Sequence, residues 1–487
     1  MDSLINVQLL TLEDWLHLMP ILILSASGLI SLLLSTSHNK ATVYLNFLVF
    51  IFSCVLAISC LAMTYSTESY SVLNGTFYFD DFSSTYSVLL IILAGTISIF
   101  ELSKMKEDFI GGEFFALLAF ALAGMIGLIS TLDFMMLFIC LELMSLATYV
   151  LIAIRRKSKE SAESSLKYFI LGGVMSAVFL MGISFIFGAT GSFNLEEIKV
   201  AISKVGSNHH LVLLFGILMI YSAMLFKVGA FPFHTWLPDV YSGASNTVTA
   251  FMITAVKVTT FALIVRVSIL LWVPQIFSAG TKMYQLLFVA TLLSLAFGAF
   301  VGLRQNNLKR ILAYSSIAHT GFILMALISL DGKVDSLAMS AIKSYLFFYV
   351  VTAFGAFAFL HLLKSDELKS YDLNNLNGLF QRSPLNAICL TVLLLSMAGI
   401  PPTAGFFGKY YVILAAIEHH ELILAIAAIL SSLTAAYFYI RPIANMFFKE
   451  STPAVDDLYS DKFTVKYLLV GATILVLAMP HFFNIFT

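Results

Sequence analysis

The sequence predicts an all-α polytopic membrane protein, and three observations carry that expectation. Of its 487 residues, 60% are hydrophobic and only 11% charged, against roughly 25% charged in a soluble domain, and the mean hydropathy is +0.94. Apolar runs long enough to cross a ~30 Å hydrocarbon core recur along the whole chain. The basic residues between those runs gather on one side of the resulting map. A soluble fold of this length could not hide so many apolar side chains, because surface grows too fast with volume. The formal net charge of −1 gives no reason to expect nucleic acid or a strongly charged soluble partner.

The first run, 15–35, follows Glu13 and Asp14 and has no basic leader, so it reads as a spanning helix and not as a cleaved signal peptide. Further runs fall at 42–64, 82–103, 113–130, 133–154, 162–187, 210–231, 246–270, 282–303, 308–330, 337–363, 384–418, 420–448 and 465–486, giving about 14 spans. The run at 384–418 is too long for one straight helix and contains Ile400, Pro401 and Pro402, so an interruption is expected there. Pro232 and Pro238 bracket Phe233, His234, Thr235 and Trp236 and predict a second one. No linker or low-complexity tract divides the chain, so 1–487 reads as a single transmembrane domain.

Alternating the connections across the bilayer puts Lys40, Lys104, Lys106, Arg155, Arg156, Lys157, Lys159, Arg304, Lys309 and Arg310 on one side. Lys364, Lys369, Arg382, Arg441, Lys449, Lys462 and Lys466 join them there. Only Lys199, Lys204, Lys282 and Lys333 fall opposite. By the positive-inside rule the first side is cytoplasmic, and an even number of spans then places both termini outside.

Six basic residues remain inside spans: Lys167, Lys227, Lys257, Arg266, Lys343 and Lys409. Glu142 is the clearest embedded acid. An ionised residue at a helix centre costs about 2.5–3.5 kcal/mol even on a lenient insertion scale. Desolvation disfavours the charged form of lysine and of carboxylate alike, so a buried lysine can take and release a proton at working pH. Glu142 is too deep to snorkel, and Ser145 and Tyr149 follow it at i+3 and i+7 as a polar stripe. Lys257 is mid-span, with Thr254 and Thr247 on its face. Lys227 precedes one expected break and Lys409 follows the other; broken helices are tolerated in membranes where they line a wet cavity. Lys167 has Glu163 at i−4 as an ordinary helix partner, so relay and snorkelling readings both stand. Arg266 and Lys343 lie near span ends and read as snorkelling. His234 and His319 are candidate relays, each with a plain structural alternative.

Cys54, Cys60, Cys140 and Cys389 sit in apolar runs without metal or iron–sulfur spacing and read as inert core thiols. The pairs His209-His210 and His419-His420 fall at span edges, and no pair of mid-span histidines suggests haem ligation.

The two expected breaks occupy comparable places. Three helices (1–112) precede a five-span unit at 113–270; a second five-span unit at 280–448 precedes a last helix (449–487). An odd number of spans inverts the second unit relative to the first, the inverted-repeat logic of transporters.

Three segments also resemble a known family: FKVGAFPFHTWLPD (226–239), QNNLKRILAYSSIAH (305–319) and AGIPPTAGFFGK (398–409). They are similar to signatures of the antiporter-like membrane subunits of respiratory complex I, NADH:quinone oxidoreductase, and of multi-subunit cation/proton antiporters, over roughly 113–448. Within that family the chain looks most like the N-type subunit of bacteria. Its length leaves no residues for the long lateral helix of the L type, Lys409 stands where the M type usually has glutamate, and ESSLKY (163–168) is N-like. The resemblance implies a proton relay. Glu142 would pair with Lys227 and tune it, Lys227 would be the central acceptor, and Lys257 would pass the proton towards Lys409 for release outside. Lys167 would contribute near Glu142. It also implies a bacterial inner membrane, other complex I membrane subunits as partners, and redox energy from elsewhere in the assembly. No cofactor is expected in this chain; NAD, FMN, iron–sulfur clusters and quinone would belong to partner subunits.

A Na⁺/proton antiporter subunit is the alternative function, although a Na⁺ site favours carboxylate oxygens and only Glu142 is deeply embedded. A passive scaffold leaves the cost of several embedded charges unexplained. No quinone headgroup site is recognisable.

Overall fold

The computed structural model describes residues 10–37, 39–65, 68–104, 111–202, 207–271, 278, 280–330, 336–363, 371–450 and 462–480, without the side chains of 104 and 207–210. The loop residues Lys106, Lys204, Lys333, Lys364 and Lys369, and the side chains of Lys104, His209 and His210, lie outside the described residues.

Helices begin where the sequence supplies caps. α1 (Leu12–Leu34) starts on a reciprocal capping box between Thr11 and Asp14, and Glu13 and Asp14 face the positive end of its dipole. α2 (Lys40–Thr64) is capped by Asn39. A hairpin of β1 (Tyr70–Val72) and β2 (Phe77–Phe79) follows, in register Tyr70↔Phe79, and turns through positive φ at Leu73, Asn74 and Gly75. This short sheet departs from the all-α expectation. It is tied down by Thr131, whose hydroxyl donates to the Thr76 carbonyl (2.6 Å), and by Asn194, which donates to the Gly75 carbonyl (3.3 Å).

α3 (Asp81–Lys104), α4 (Glu113–Ser130), α5 (Phe134–Ile152) and α6 (Lys159–Thr190) come next. α7 (Leu195–Ile202) lies in the expected connection at 188–209; it buries Leu195, Ile198 and Ile202 at i, i+3 and i+7 and turns Glu196 and Lys199 outward. α8 (Ser207–Val228) ends at the first break, α9 (Trp236–Gly243) is short, and α10 (Asn246–Leu270) contains a π turn at Met252–Val256 immediately before Lys257. α11 (Lys282–Leu303), α12 (Leu308–Ile328), α13 (Leu337–His361), α14 (Leu379–Arg382), α15 (Pro384–Ala398), α16 (Ala404–Glu418), α17 (Leu422–Phe448) and α18 (Phe463–Ala478) complete the described fold.

Both expected interruptions are present. α8 gives way at Gly229 (φ +69°) and α15 at Gly399 (φ +82°), and each break contains a cis peptide bond, Phe231-Pro232 and Pro401-Pro402. Among the described residues 12 helices are long and apolar enough to cross a membrane, fewer than the expected 14. The run 384–418 is split into two 15-residue helices, and α18 has 16 residues.

Packing is graded. α1, α2, α6 and α17 show apolar residues such as Leu33, Phe52, Phe169 and Leu433 outward, the arrangement of a multi-pass membrane protein whose periphery meets lipid. α10 is buried from Asn246 to Ser268, and α4, α12 and α13 over most of their length. Lys257, Ser316 and His319 on these helices therefore have no exterior to reach.

Candidate functional site: a buried axis of lysines

Lys227 stands one residue before the end of α8 and is 5% exposed. Its ammonium donates to Ser145 Oγ (2.7 Å) and Tyr149 Oη (3.3 Å) on α5, and lies 5.3 and 5.4 Å from the ring centroids of Tyr149 and Tyr168. Glu142, one turn earlier on α5, is half-buried and accepts a hydrogen bond from Ser176 of α6. The polar stripe read from i, i+3 and i+7 is thus the lysine's cradle. The expected pairing of Glu142 with Lys227 is not a direct ion pair. Ser145, one turn from Glu142, is in direct contact with the ammonium.

Lys257 projects from α10 just after the π turn. It is 2.5 Å from the carbonyl oxygen and 2.6 Å from the hydroxyl of Ser316 on α12, with the Tyr349 ring of α13 at 5.1 Å. Tyr349 also donates to Ser316 Oγ (3.0 Å). One turn along α12, His319 Nδ1 meets Tyr345 Oη at 2.6 Å and its Nε2 meets Tyr439 Oη at 3.4 Å. A small cavity bordered by His319, Tyr345, Tyr349, Thr352, Ser396 and Gly408 opens beside it. Lys409 of α16 follows, donating to the Ala398 carbonyl (2.9 Å) and Ser432 Oγ (2.9 Å) over the Phe322 ring.

Backbone groups at both breaks have partners. At the first, Thr320 of α12 donates to the freed Val228 carbonyl (3.0 Å), Trp236 Nε1 to that of Phe226 (3.0 Å), and the Phe231 amide to Ser294 Oγ (2.9 Å). At the second, Lys409 itself occupies the carbonyl that ends α15. An aromatic strip leads away from Lys227. Tyr168 stacks on Trp236 (4.4 Å), and Trp236 meets Tyr241 edge-on (6.2 Å).

Other expected site residues are elsewhere. Lys167 is half-exposed and bonds Glu163 (2.7 Å) and Asp239 (3.1 Å), so it does not join the Glu142 cradle: its helix position points it to α9. His234 stacks on Phe231 and meets Phe297 at a tilt, and its buried Nδ1 has no hydrogen-bond partner among the described residues. Lys343 is half-buried on α13. Arg266 does not snorkel. It is 7% exposed and pairs with Asp80 at 2.7 Å over the rings of Tyr78 and Phe82, because α3 brings a carboxylate to it. Lys309, taken for a loop residue, is fully buried in the first turn of α12 and donates to the Ala244 carbonyl (2.7 Å). The four cysteines are free thiols.

Sequence reasoning missed Ser316, Tyr345, Tyr349, Tyr439 and Asp239. Two signals were there: Ser316 and His319 stand at i, i+3 within one quoted motif, and Tyr345 and Tyr349 at i, i+4 in an otherwise apolar helix.

Fold and site together define a polytopic membrane protein with lysines carried through its centre on broken and π-distorted helices. The chain belongs to the NADH:quinone oxidoreductase/Mrp antiporter transmembrane family, whose model matches residues 131–434, in its subunit N branch. It is 36% identical over 469 residues to NADH-quinone oxidoreductase subunit N 1 of Koribacter versatilis (strain Ellin345), covering 93% of this chain and 90% of that one. It superposes with TM-score 0.79 and 28% identity on a chain of respiratory complex I from Thermus thermophilus with bound aureothin, over 95% of this chain and 96% of that one. A chain of the Mrp complex from Dietzia sp. DQ12-45-1b shares the fold, with TM-score 0.81 at 19% identity over 98% and 96% of the two chains.

Proposed function

We propose that this chain is a proton-translocating membrane subunit of NADH:quinone oxidoreductase, carrying protons along its buried lysines under the drive of redox chemistry in other subunits. One observation carries the reading: Lys227, Lys257 and Lys409 are all buried, Lys227 bonded to two hydroxyls and the other two each to a hydroxyl and a carbonyl oxygen, with no carboxylate partner among the described residues. A carboxylate would hold an ammonium charged. A hydroxyl accepts from NH₃⁺ and can donate to NH₂, so the same cradle serves both protonation states.

In this reading Lys227 accepts the proton under the field of Glu142 and passes it towards Lys257, which Ser316 holds. His319 with Tyr345 hands it on to Lys409, which releases it outside. The two five-helix units around the breaks act as inverted half-channels, inlet and outlet. Lys167 and His234 flank this line. The chain sits in a bacterial inner membrane with both termini outside, beside other antiporter-like and small membrane subunits. NAD, FMN, iron–sulfur clusters and quinone act in partner subunits, and this chain holds none.

The test is to tag the chain, solubilise the membranes gently and identify what co-purifies. Recovery of flavin and iron–sulfur subunits with NADH oxidation, and slower proton uptake by vesicles of Lys227→Ala, is the expected result. Recovery of membrane subunits alone, without NADH activity, would overturn the complex I reading and favour the cation antiporter.

A further inference from the structure

Thr320 of α12 is fully buried, and its hydroxyl lies between two backbone carbonyls from different halves of the molecule. It is 3.0 Å from the carbonyl oxygen of Ser316, one turn earlier on its own helix. It is also 3.0 Å from the carbonyl oxygen of Val228, the last residue of α8. The first contact is ordinary, since a threonine in a helix can bond the carbonyl four residues back. The second crosses 92 residues of sequence, from the second five-helix unit to the first.

Both carbonyls have a place beside the lysines. That of Ser316 is part of the seat of Lys257, whose nitrogen is 2.5 Å away. That of Val228 belongs to the residue after Lys227, where α8 gives way to Gly229. Thr320 therefore meets the acceptor of one lysine and the helix end that carries the other. Val228 and Ser316 are as deeply buried as Thr320 itself.

A hydroxyl has one proton to donate and rotates to place it. An ammonium on the Ser316 oxygen repels a second positive donor end at the same atom, so with Lys257 charged the Thr320 proton turns to Val228. With Lys257 neutral that repulsion is gone, and the Ser316 oxygen can take the hydroxyl proton instead. The Val228 carbonyl, which has no following helical turn to bond it, is then let go. The second unit also holds the break through Ser294 of α11, whose Oγ accepts from the Phe231 amide (2.9 Å). Ser294 is bonded to none of the three lysines among the described residues, so it isolates the effect of holding the break alone.

We propose that Thr320 is a positioning residue that couples the protonation of Lys257 to the end of α8, and so to the placement of Lys227. The inference rests on the proton-relay reading above and adds to it a link between the two lysines through backbone carbonyls. A misplacement on the order of 1 Å can slow a transfer step by roughly a hundredfold, so a slightly looser α8 end is enough to be read.

The experiment uses the assembled complex in inverted membrane vesicles, with assembly followed by native-gel NADH activity and proton uptake measured per NADH oxidised. Thr320→Val keeps the shape of the side chain and removes the donor. It should assemble in normal amount and lower uptake roughly threefold to tenfold, the weight of one hydrogen bond. Thr320→Ser restores the hydroxyl and should recover most of the loss. Ser294→Ala removes the other bond at the break, and should lower thermal stability while leaving uptake per NADH near normal. Equal losses of uptake in Thr320→Val and Ser294→Ala would mean that both residues only hold the break, and would overturn the coupling. Normal uptake by Thr320→Val while Lys227→Ala remains impaired also overturns it and leaves the relay standing. Normal uptake by Lys227→Ala overturns the relay itself. Should Thr320→Val fail to assemble, the smaller Thr320→Ala carries the same comparison with Ser294→Ala, and normal uptake there would overturn the proposal.

Discussion

The ammonium of Lys409 lies 2.9 Å from the carbonyl oxygen of Ala398, the last residue of α15, and Ser432 donates to the same oxygen from 3.1 Å. The break that ends α15 thus supplies the lysine with its seat. Gly399, the next residue, has φ +82°, and a Cβ there would lie 2.8 Å from Lys409 Cδ.

Gly399→Ala therefore acts on the lysine as well as on the backbone. A left-handed alanine costs about 1–2 kcal/mol, and the added methyl pushes the Lys409 stem off the Ala398 carbonyl. The expected outcome is an assembled complex with proton uptake lowered severalfold, measured per NADH oxidised in inverted vesicles. Uptake at the normal rate would show that the seat at Ala398 does not matter.

Ser145 and Tyr149 hold Lys227 unequally, at 2.7 and 3.3 Å. Removing one partner of a buried charged group costs about 1–3 kcal/mol. Ser145→Ala should thus slow proton uptake more than Tyr149→Phe, and the double variant should approach Lys227→Ala. The reverse order would place the tyrosine in the principal role.

His319 is in the line and His234 is beside it. His319→Ala removes the link between Tyr345 and the region of Lys409 and should lower uptake strongly. His234→Ala removes only ring contacts with Phe231 and Phe297, and should change uptake little while lowering thermal stability slightly. Equal loss of uptake in the two variants would return His234 to the relay.

The Arg266–Asp80 pair ties α10 to the start of α3 across 186 residues, with Arg266 almost wholly enclosed. Leaving a buried charge without its partner costs about 3–5 kcal/mol. Asp80→Ala should reduce the amount of assembled complex and its melting temperature, whereas Arg266→Met/Asp80→Leu should recover part of both. A double variant as unstable as the single one would mean that the ion pair is not the source of the loss.

Position along an apolar run is a local property, and it is legible in the sequence. The cost of placing a charge in lipid depends on its distance along an apolar run, so Lys227, Lys257 and Lys409 stand out before any fold is known. Pro232 and Pro401-Pro402 marked the breaks for the same reason, since a missing amide interrupts its own helix wherever that helix packs. The stripe of Glu142, Ser145 and Tyr149 was legible because helical spacing alone puts them on one face.

What the tertiary structure decided is which oxygen meets which cation. Ser316 comes to Lys257, Ser432 to Lys409, and Asp80 to Arg266 from distant parts of the chain, through helix packing that periodicity does not specify. The same packing buried Lys309, which position in the sequence had placed in a loop, and turned Lys167 from Glu142 to Asp239. Helical spacing fixes the face a residue presents along its own axis. The neighbour that face receives is set by how the central helices close around one another, and in this protein that closure makes the hydrogen-bonded seats of the three lysines.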